Sequence, residues 1–311
     1  MILPTVRRNT TRSYRIGKFA VTKIPHLPSR PFSLYDLFEE NSLRSLSRLH
    51  REDIDFATGK LSLSLQSWLI QSPACTVLVD TGIGGNFERT PSKTKRSRLS
   101  FLRHLAAAGV RPNDVDYVFN TSLDSDHFGG GSRCLNGKWI PTFPNARYVF
   151  SGVDYRLWLA EETADIEATA IMMNIETGWP KRTPRISNYI RHMQPLIDAG
   201  LAQPSEPDGS EVIEGFSFRP SPEGSVYQSI VVLRSEGAEA VFGGKLFLHP
   251  IQVSAPELAS NHDVISNSAK ARRTLVHTIA ESNATFFSSR FTSSSRGQIT
   301  KNGTEFSWKF V

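Results

Sequence analysis

Apolar and polar positions alternate in short, strand-sized bursts along most of this chain. Leu61 to Leu65 alternates, and Ser67-Trp68-Leu69-Ile70 and Thr76-Val77-Leu78-Val79 read as buried strands, the second ending at Asp80-Thr81-Gly82. An earlier stretch, Arg15 to Ile24, alternates like a first strand. From Leu99 to Ala108 the apolar residues fall at helical spacing and stop at Gly109, a good helix-ending residue, before Arg111-Pro112. Val115 to Phe119 is then a short strand. It is followed by a strand at Ala146 to Phe150, helices at Val153 to Ala160 and Ser187 to Ala199, and strands at Phe216 to Arg219, Ser229 to Leu233 and Ala240 to Phe242. Lys270 to Glu281 reads as a late helix and Thr285 to Phe287 as a last core strand.

Strands fill each half with helices between them, which predicts an α/β protein of two sheets stacked face to face and covered by helices. No repeat or low-complexity linker divides the chain. The expected organisation is a flexible basic leader over residues 1–15 and a single domain over 16–311.

Composition changes this picture little. At 311 residues and 39% hydrophobic the chain can bury a large core. No apolar run approaches the roughly 20 residues of a membrane helix, so no membrane partner is expected. Two cysteines, Cys75 and Cys134, are too few for a disulfide framework and lack metal-pair spacing; they read as buried thiols in a reducing compartment. The net charge is +6, but no zinc-finger or RNA-binding motif accompanies it, and nucleic acid is not an expected partner. The charge is unevenly placed: no acid precedes Asp36, and Arg7, Arg8, Arg12, Arg15 and Lys18 make a basic start. An organelle-targeting lead is the alternative to a flexible one. The expected location is the cytoplasm, and the oligomeric state stays open.

The chemistry concentrates at residues 120–131, Asn-Thr-Ser-Leu-Asp-Ser-Asp-His-Phe-Gly-Gly-Gly, directly beyond the strand Val115 to Phe119, where α/β proteins commonly place their sites. The stretch resembles the T-H-x-H-x-D-H signature of the metallo-β-lactamase superfamily, with its following apolar residue and paired glycines, except that Ser122 and Asp124 stand at the two early histidine positions. Ser67 to Ile70 with Leu78 to Gly82, Ala107 to Asn120, Asn136 to Tyr148, His249-Pro250-Ile251-Gln252 and Gly303 to Trp308 fit the lactonase-type branch in the same order. The resemblance covers nearly the whole chain and implies a four-layer αββα sandwich derived from a lactone or ester hydrolase.

It also implies a set of site positions. In that family two histidines of the first motif and one downstream hold a first metal; here they align with Ser122, Asp124 and, within a residue, Glu223. The second metal uses the motif's aspartate and last histidine, matched by Asp126 and His127. It also uses a late histidine, replaced by Arg290, and a bridging aspartate, replaced by Lys245. Asp80, in the family's acidic turn, is expected to brace the loop. Imidazole suits zinc, whereas hydroxyl and carboxylate oxygens suit harder cations. The expectation is that no cofactor is held, with zinc or another divalent ion bound only weakly at a vestigial Asp126–His127 remnant. Asp124, Asp126 and Glu223 would then be answered by Lys245 and Arg290 in an ion-pair cluster.

Several readings of these residues stay open. Lys245 is a candidate base or Schiff-base nucleophile. Asp124, Asp126 and Glu223 are candidate metal-free acids and bases, and His127 is either a ligand or a packed histidine. Gly129 to Gly131 lack the G-K-S/T of a phosphate loop and read as a tight backbone turn. Of the scattered histidines, His249 is placed to line a pocket. The expected function is action on a small lactone- or polyketide-like metabolite, by residual hydrolysis or by metal-independent cyclisation, elimination or isomerisation. The alternatives are a pseudoenzyme acting as a binding or regulatory module, and a decayed product with little function.

Overall fold

A computed structural model describes residues 13–45, 58–84, 100–163, 189–222, 228–261 and 268–311. The first sheet holds β1 (Tyr14–Ile16), β2 (Phe19–Ser33), β3 (Lys60–Gln71), β4 (Thr76–Val79) and β5 (Tyr117–Phe119). After a separate hairpin of β6 (Ser132–Leu135) and β7 (Lys138–Pro141), β8 (Arg147–Ser151) and β9 (Ala202–Ser205) complete it, in the order β1-β2-β3-β4-β5-β8-β9. The second sheet runs in chain order through β10 (Glu211–Ile213), β11 (Phe216–Pro220), β12 (Ser229–Ser235), β13 (Ala238–Phe242), β14 (Thr285–Phe287), β15 (Arg296–Asn302) and β16 (Glu305–Phe310).

The period of two along each strand decides the layers. In the first sheet Trp68, Ile70, Val77 and Val79 meet Phe216, Phe218, Leu233, Phe242 and Phe287 of the second, forming the central core. Their alternates Leu69 and Leu78 face outward onto Phe101, Leu105 and Leu196. On the other outer face Val232, Val241 and Phe286 pack against Ala271, Leu275, Val276 and Ile279 of the helix Ser268–Ser282. This is the four-layer αββα arrangement.

Strands β4, β5, β8 and β9 are parallel, as are β13 and β14. Helix 100–107 is the crossover between β4 and β5, and Ser268–Ser282 the one between β13 and β14. The loops after β4, β5, β13 and β14 therefore gather at one end of the sandwich, tied by Gly82 N–H to His127 O (3.1 Å), Ser229 N–H to Thr121 O (2.7 Å) and Ser289 N–H to Gly244 O (3.4 Å).

Some expected elements differ. Arg15 to Ile24 is a hairpin, β1 turning through Gly17 and Lys18 into β2, rather than one strand. The two runs at 61–65 and 67–70 are the single strand β3. Of the helix expected over 187–199, residues 187–188 lie outside the described residues and the rest divides into a π-helical turn, Tyr189–Met193, and a helix, Gln194–Asp198. Pro195 lacks the N–H needed to continue a helix from upstream and instead occupies a first turn. β9 escapes the hydrophobic pattern because Ala-Gln-Pro-Ser is a solvated edge strand. Cys75 and Cys134 are free thiols but half-buried, because Cys75 lies at a turn beside Ser72 and Cys134 on the small hairpin. Among the described residues no helix is long and apolar enough to cross a membrane.

Candidate functional site

Four strand ends deliver the site. β4 ends at Asp80, whose backbone is turned into the left-handed region (φ 61°) while its N–H bonds Phe119 O at 2.8 Å. That turn aims the carboxylate at the neighbouring loop. Its Oδ1 accepts from Thr121 N–H (2.8 Å), both oxygens lie within reach of Thr121 Oγ1 (3.0 and 2.9 Å), and Oδ2 meets His127 Nδ1 at 2.7 Å. Asp80 and His127 are both buried.

His127 sits in a single helical turn, Ser125–Phe128. Its carbonyl accepts from Thr81 N–H (2.6 Å) and Gly82 N–H (3.1 Å), so the acidic turn and the motif hold each other at main-chain level. The glycines behind it permit this approach: a Cβ on Gly130 would come within 2.2 Å of Thr81 O.

The charged side chains pair across the two sheets. Arg290, from the loop after β14, bonds Asp126 and also lies 3.2 Å from Nε2 of His127. Lys245, from the loop after β13, bonds Asp124. Arginine has only donors, so Nε2 of His127 accepts and its Nδ1 carries the proton given to Asp80. Burial alone would raise the Asp126 carboxyl, but the charge and hydrogen bond of the Arg290 guanidinium hold it down at about 2. Ser122 is buried, and its Oγ accepts from Asp124 N–H at 3.1 Å, a local turn contact. Asp80, Ser122, Asp124, Asp126, His127, Lys245 and Arg290 are thus brought to one place, and Glu223 lies outside the described residues.

The loop of Arg290 is anchored by residues the hydrophobic pattern did not single out. Ser64 N–H bonds Arg290 O at 2.9 Å, Ser64 Oγ bonds Phe291 O, and Gln66 Nε2 bonds Ser288 O at 2.7 Å. Gln66 continues the polar phase of the Leu61-to-Leu65 alternation, which by itself signals an exposed side chain, yet it is buried. Gln228 Nε2 and Ser289 Oγ likewise hold Gly243 O and Gly244 O at 2.7 and 2.6 Å. His26 lies beneath the turn, its Nε2 2.6 Å from Ser67 Oγ and its ring stacked on Phe101. Burial, with the charges of His104, His127 and Arg290, lowers it to about 3. His249 is half-buried and lowered by burial to about 4; its Nδ1 accepts from Ile251 N–H at 3.2 Å.

These donors do not suit the dinuclear metal centre that the fold family implies. Among the described residues no group of three or more His, Cys, Asp or Glu could hold a metal ion. Both carboxylates of the motif are engaged by cations, and a divalent ion about 4 Å from either cation would be repelled by roughly 8 kcal/mol at an effective dielectric of about 20.

Residues 64–277 match the metallo-beta-lactamase superfamily. Among solved structures the chain is similar to the hydrolase AbOPH of the beta lactamase superfamily (18% identity, TM-score 0.74, 96% of each chain covered). It is also similar to AidC, a dizinc quorum-quenching lactonase in complex with a product, N-hexanoyl-L-homoserine (17% identity, TM-score 0.73, 96% of this chain and 98% of that one). A probable metal-dependent hydrolase from Staphylococcus aureus follows at 17% identity and TM-score 0.66, with 96% and 99% covered. At these identities the likenesses establish the fold. None of the curated proteins matches the chain.

Proposed function

The chain belongs to the metallo-beta-lactamase superfamily, and we propose that it is a hydrolase-like member in which ion pairs stand where relatives hold their dimetal centre. In this reading it takes a small lactone- or polyketide-like metabolite in the cytoplasm without a metal-activated hydroxide. The observation that carries the reading is Arg290, which bonds Asp126 and His127 Nε2 together, the two motif groups that match family ligands. The ligand class is supported by AidC, a lactonase in complex with a product, N-hexanoyl-L-homoserine. Where that protein has zinc ions, this one has an ammonium and a guanidinium, which can receive a carbonyl or carboxylate oxygen but do not generate hydroxide from water. Binding, rather than metal-dependent hydrolysis, is the role this geometry supports best.

A second reading, metal-independent cyclisation, elimination or isomerisation, is favoured by one observation. The Asp126 side chain is 33% exposed and those of Lys245 and Asp124 are 19% exposed, so charged groups still face outward from the pairs. Proton transfer needs such a group within reach of substrate.

Metal analysis of the purified protein, with calorimetry and turnover assays against a lactone panel with and without chelator, tests both. Binding without chelator-sensitive hydrolysis is expected. Near two equivalents of zinc or iron per chain, or lactone hydrolysis abolished by chelator, overturns the proposal; metal-free turnover selects the second reading over the first.

A further inference from the structure

We infer that Arg290 is a built-in substitute for a metal ion, and that Arg290→His alone converts this site into a three-ligand divalent-metal site formed with Asp126 and His127. The inference rests on the reading that ion pairs replace the dimetal centre and adds which cation holds which position.

The first support is what Arg290 touches. One terminal nitrogen, Nη2, bonds Oδ2 of Asp126 and lies 3.2 Å from Nε2 of His127, while those two groups are 3.9 Å apart. One guanidinium nitrogen thus donates to both a carboxylate and an imidazole lone pair, bridging the two groups as a bound cation does. The second is the state of the imidazole. Asp80 takes the Nδ1 proton at 2.7 Å and leaves Nε2 as the acceptor, the carboxylate–histidine arrangement that prepares a ring for metal ligation.

The third is reach. A histidine side chain extended by a metal–nitrogen bond of about 2 Å spans roughly the length of an arginine side chain. An ion held by an imidazole at position 290 would therefore stand close to where Nη2 stands now. Two imidazoles and one carboxylate form a ligand set that binds divalent first-row metals and leaves positions open. The backbone of position 290 is already fixed from both sides, by Ser64 N–H on its carbonyl at 2.9 Å and by its own N–H on Ser288 Oγ at 3.0 Å, so the loop has no need to move. Lys245 stays engaged with Asp124 on the neighbouring loop, so one ion is expected and not two.

Cobalt(II) titrated into the full-length chain, followed by visible absorption and calorimetry with zinc(II) as competitor, is the test. The parent is expected to bind no stoichiometric cobalt, Arg290→His about one equivalent per chain, and the double variant Asp126→Asn/Arg290→His at least tenfold more weakly. Cobalt bound stoichiometrically by the parent overturns the ion-pair reading itself. A parent that binds none, with a folded Arg290→His that also binds none, overturns only the assignment of Arg290. Should Arg290→His not fold, Arg290→Glu supplies a carboxylate of similar reach under the same criteria. The unmodified protein gives an independent check: the nitrogen–proton spectrum of His127 is expected to place the hydrogen-bonded proton on Nδ1, facing Asp80, and a proton on Nε2 instead contradicts the assignment.

Discussion

Asp80 Oδ2 accepts a hydrogen bond from Nδ1 of His127 at 2.7 Å, across two loops that sequence separates by 47 positions. Both residues are buried, and the same carboxylate also takes Thr121 N–H and Oγ1. Asp80→Ala leaves three donors without their acceptor, and a lost buried acceptor costs about 1–3 kcal/mol per orphaned donor before relaxation. A loss of about 2–4 kcal/mol in urea unfolding is expected. A loss under about 0.5 kcal/mol, the size of an ordinary surface change, would show that the contact is incidental.

Asp126 and Arg290 form a part-exposed pair. Removing either partner leaves the other short of its counter-charge, so Asp126→Asn and Arg290→Met are each expected to lower stability by roughly 1–3 kcal/mol, less than a fully buried pair because solvent screens this one. The double variant should recover part of the sum, with a coupling of about 1 kcal/mol or more in a double-mutant cycle. Strict additivity removes the case for a cooperative cluster.

Gly244 carries φ 54°, and a Cβ there would lie 2.4 Å from Thr121 Oγ1 and 2.5 Å from Gln228 Nε2. Gly244→Ala is expected to cost about 1–3 kcal/mol from backbone strain and crowding together. Gly237→Ala is the control: it shares a positive φ (79°) but has open space around it, so its thermal midpoint should fall less.

Two buried histidines, His26 and His192 of the turn Tyr189–Met193, and the half-buried His249 make stability depend on pH. His26 is lowered to about 3 and His192 and His249 to about 4, each with burial as the leading cause. Their folded values lie below the ordinary 6.5, so between those limits the unfolded chain binds protons that the folded chain refuses. Stability is complete above pH 6.5 and falls as pH drops through the window. His26 alone contributes a loss of about 2–3 kcal/mol between pH 7.5 and 4.5. Urea midpoints at both pH values measure it, and His26→Gln should flatten the slope. An equal slope in that variant points to other groups.

Strand identity was readable wherever one face alternates or both faces are buried, as at Thr76–Val79 and Thr285–Phe287, which appear with the expected bounds. It failed where the physical signal is weak. The hairpin at Gly17 looks continuous because both arms alternate, and β9 is polar because it lies at an edge. The candidate site was readable only as a set of departures from a family pattern. That reading placed Arg290 and Lys245 at metal positions, but no local rule pairs Lys245 with Asp124 rather than Asp126, or brings Ser64 and Gln66 under the loop of Arg290.

The order of residues alone determined the αββα sandwich, through period-two burial on both sheets, and the types of group that reach the strand ends. Which charge meets which was decided by the tertiary structure. Positions 80, 126, 245 and 290 come from four loops that meet only when two sheets stack, and Coulomb energy depends on distances of a few ångströms that only that packing sets.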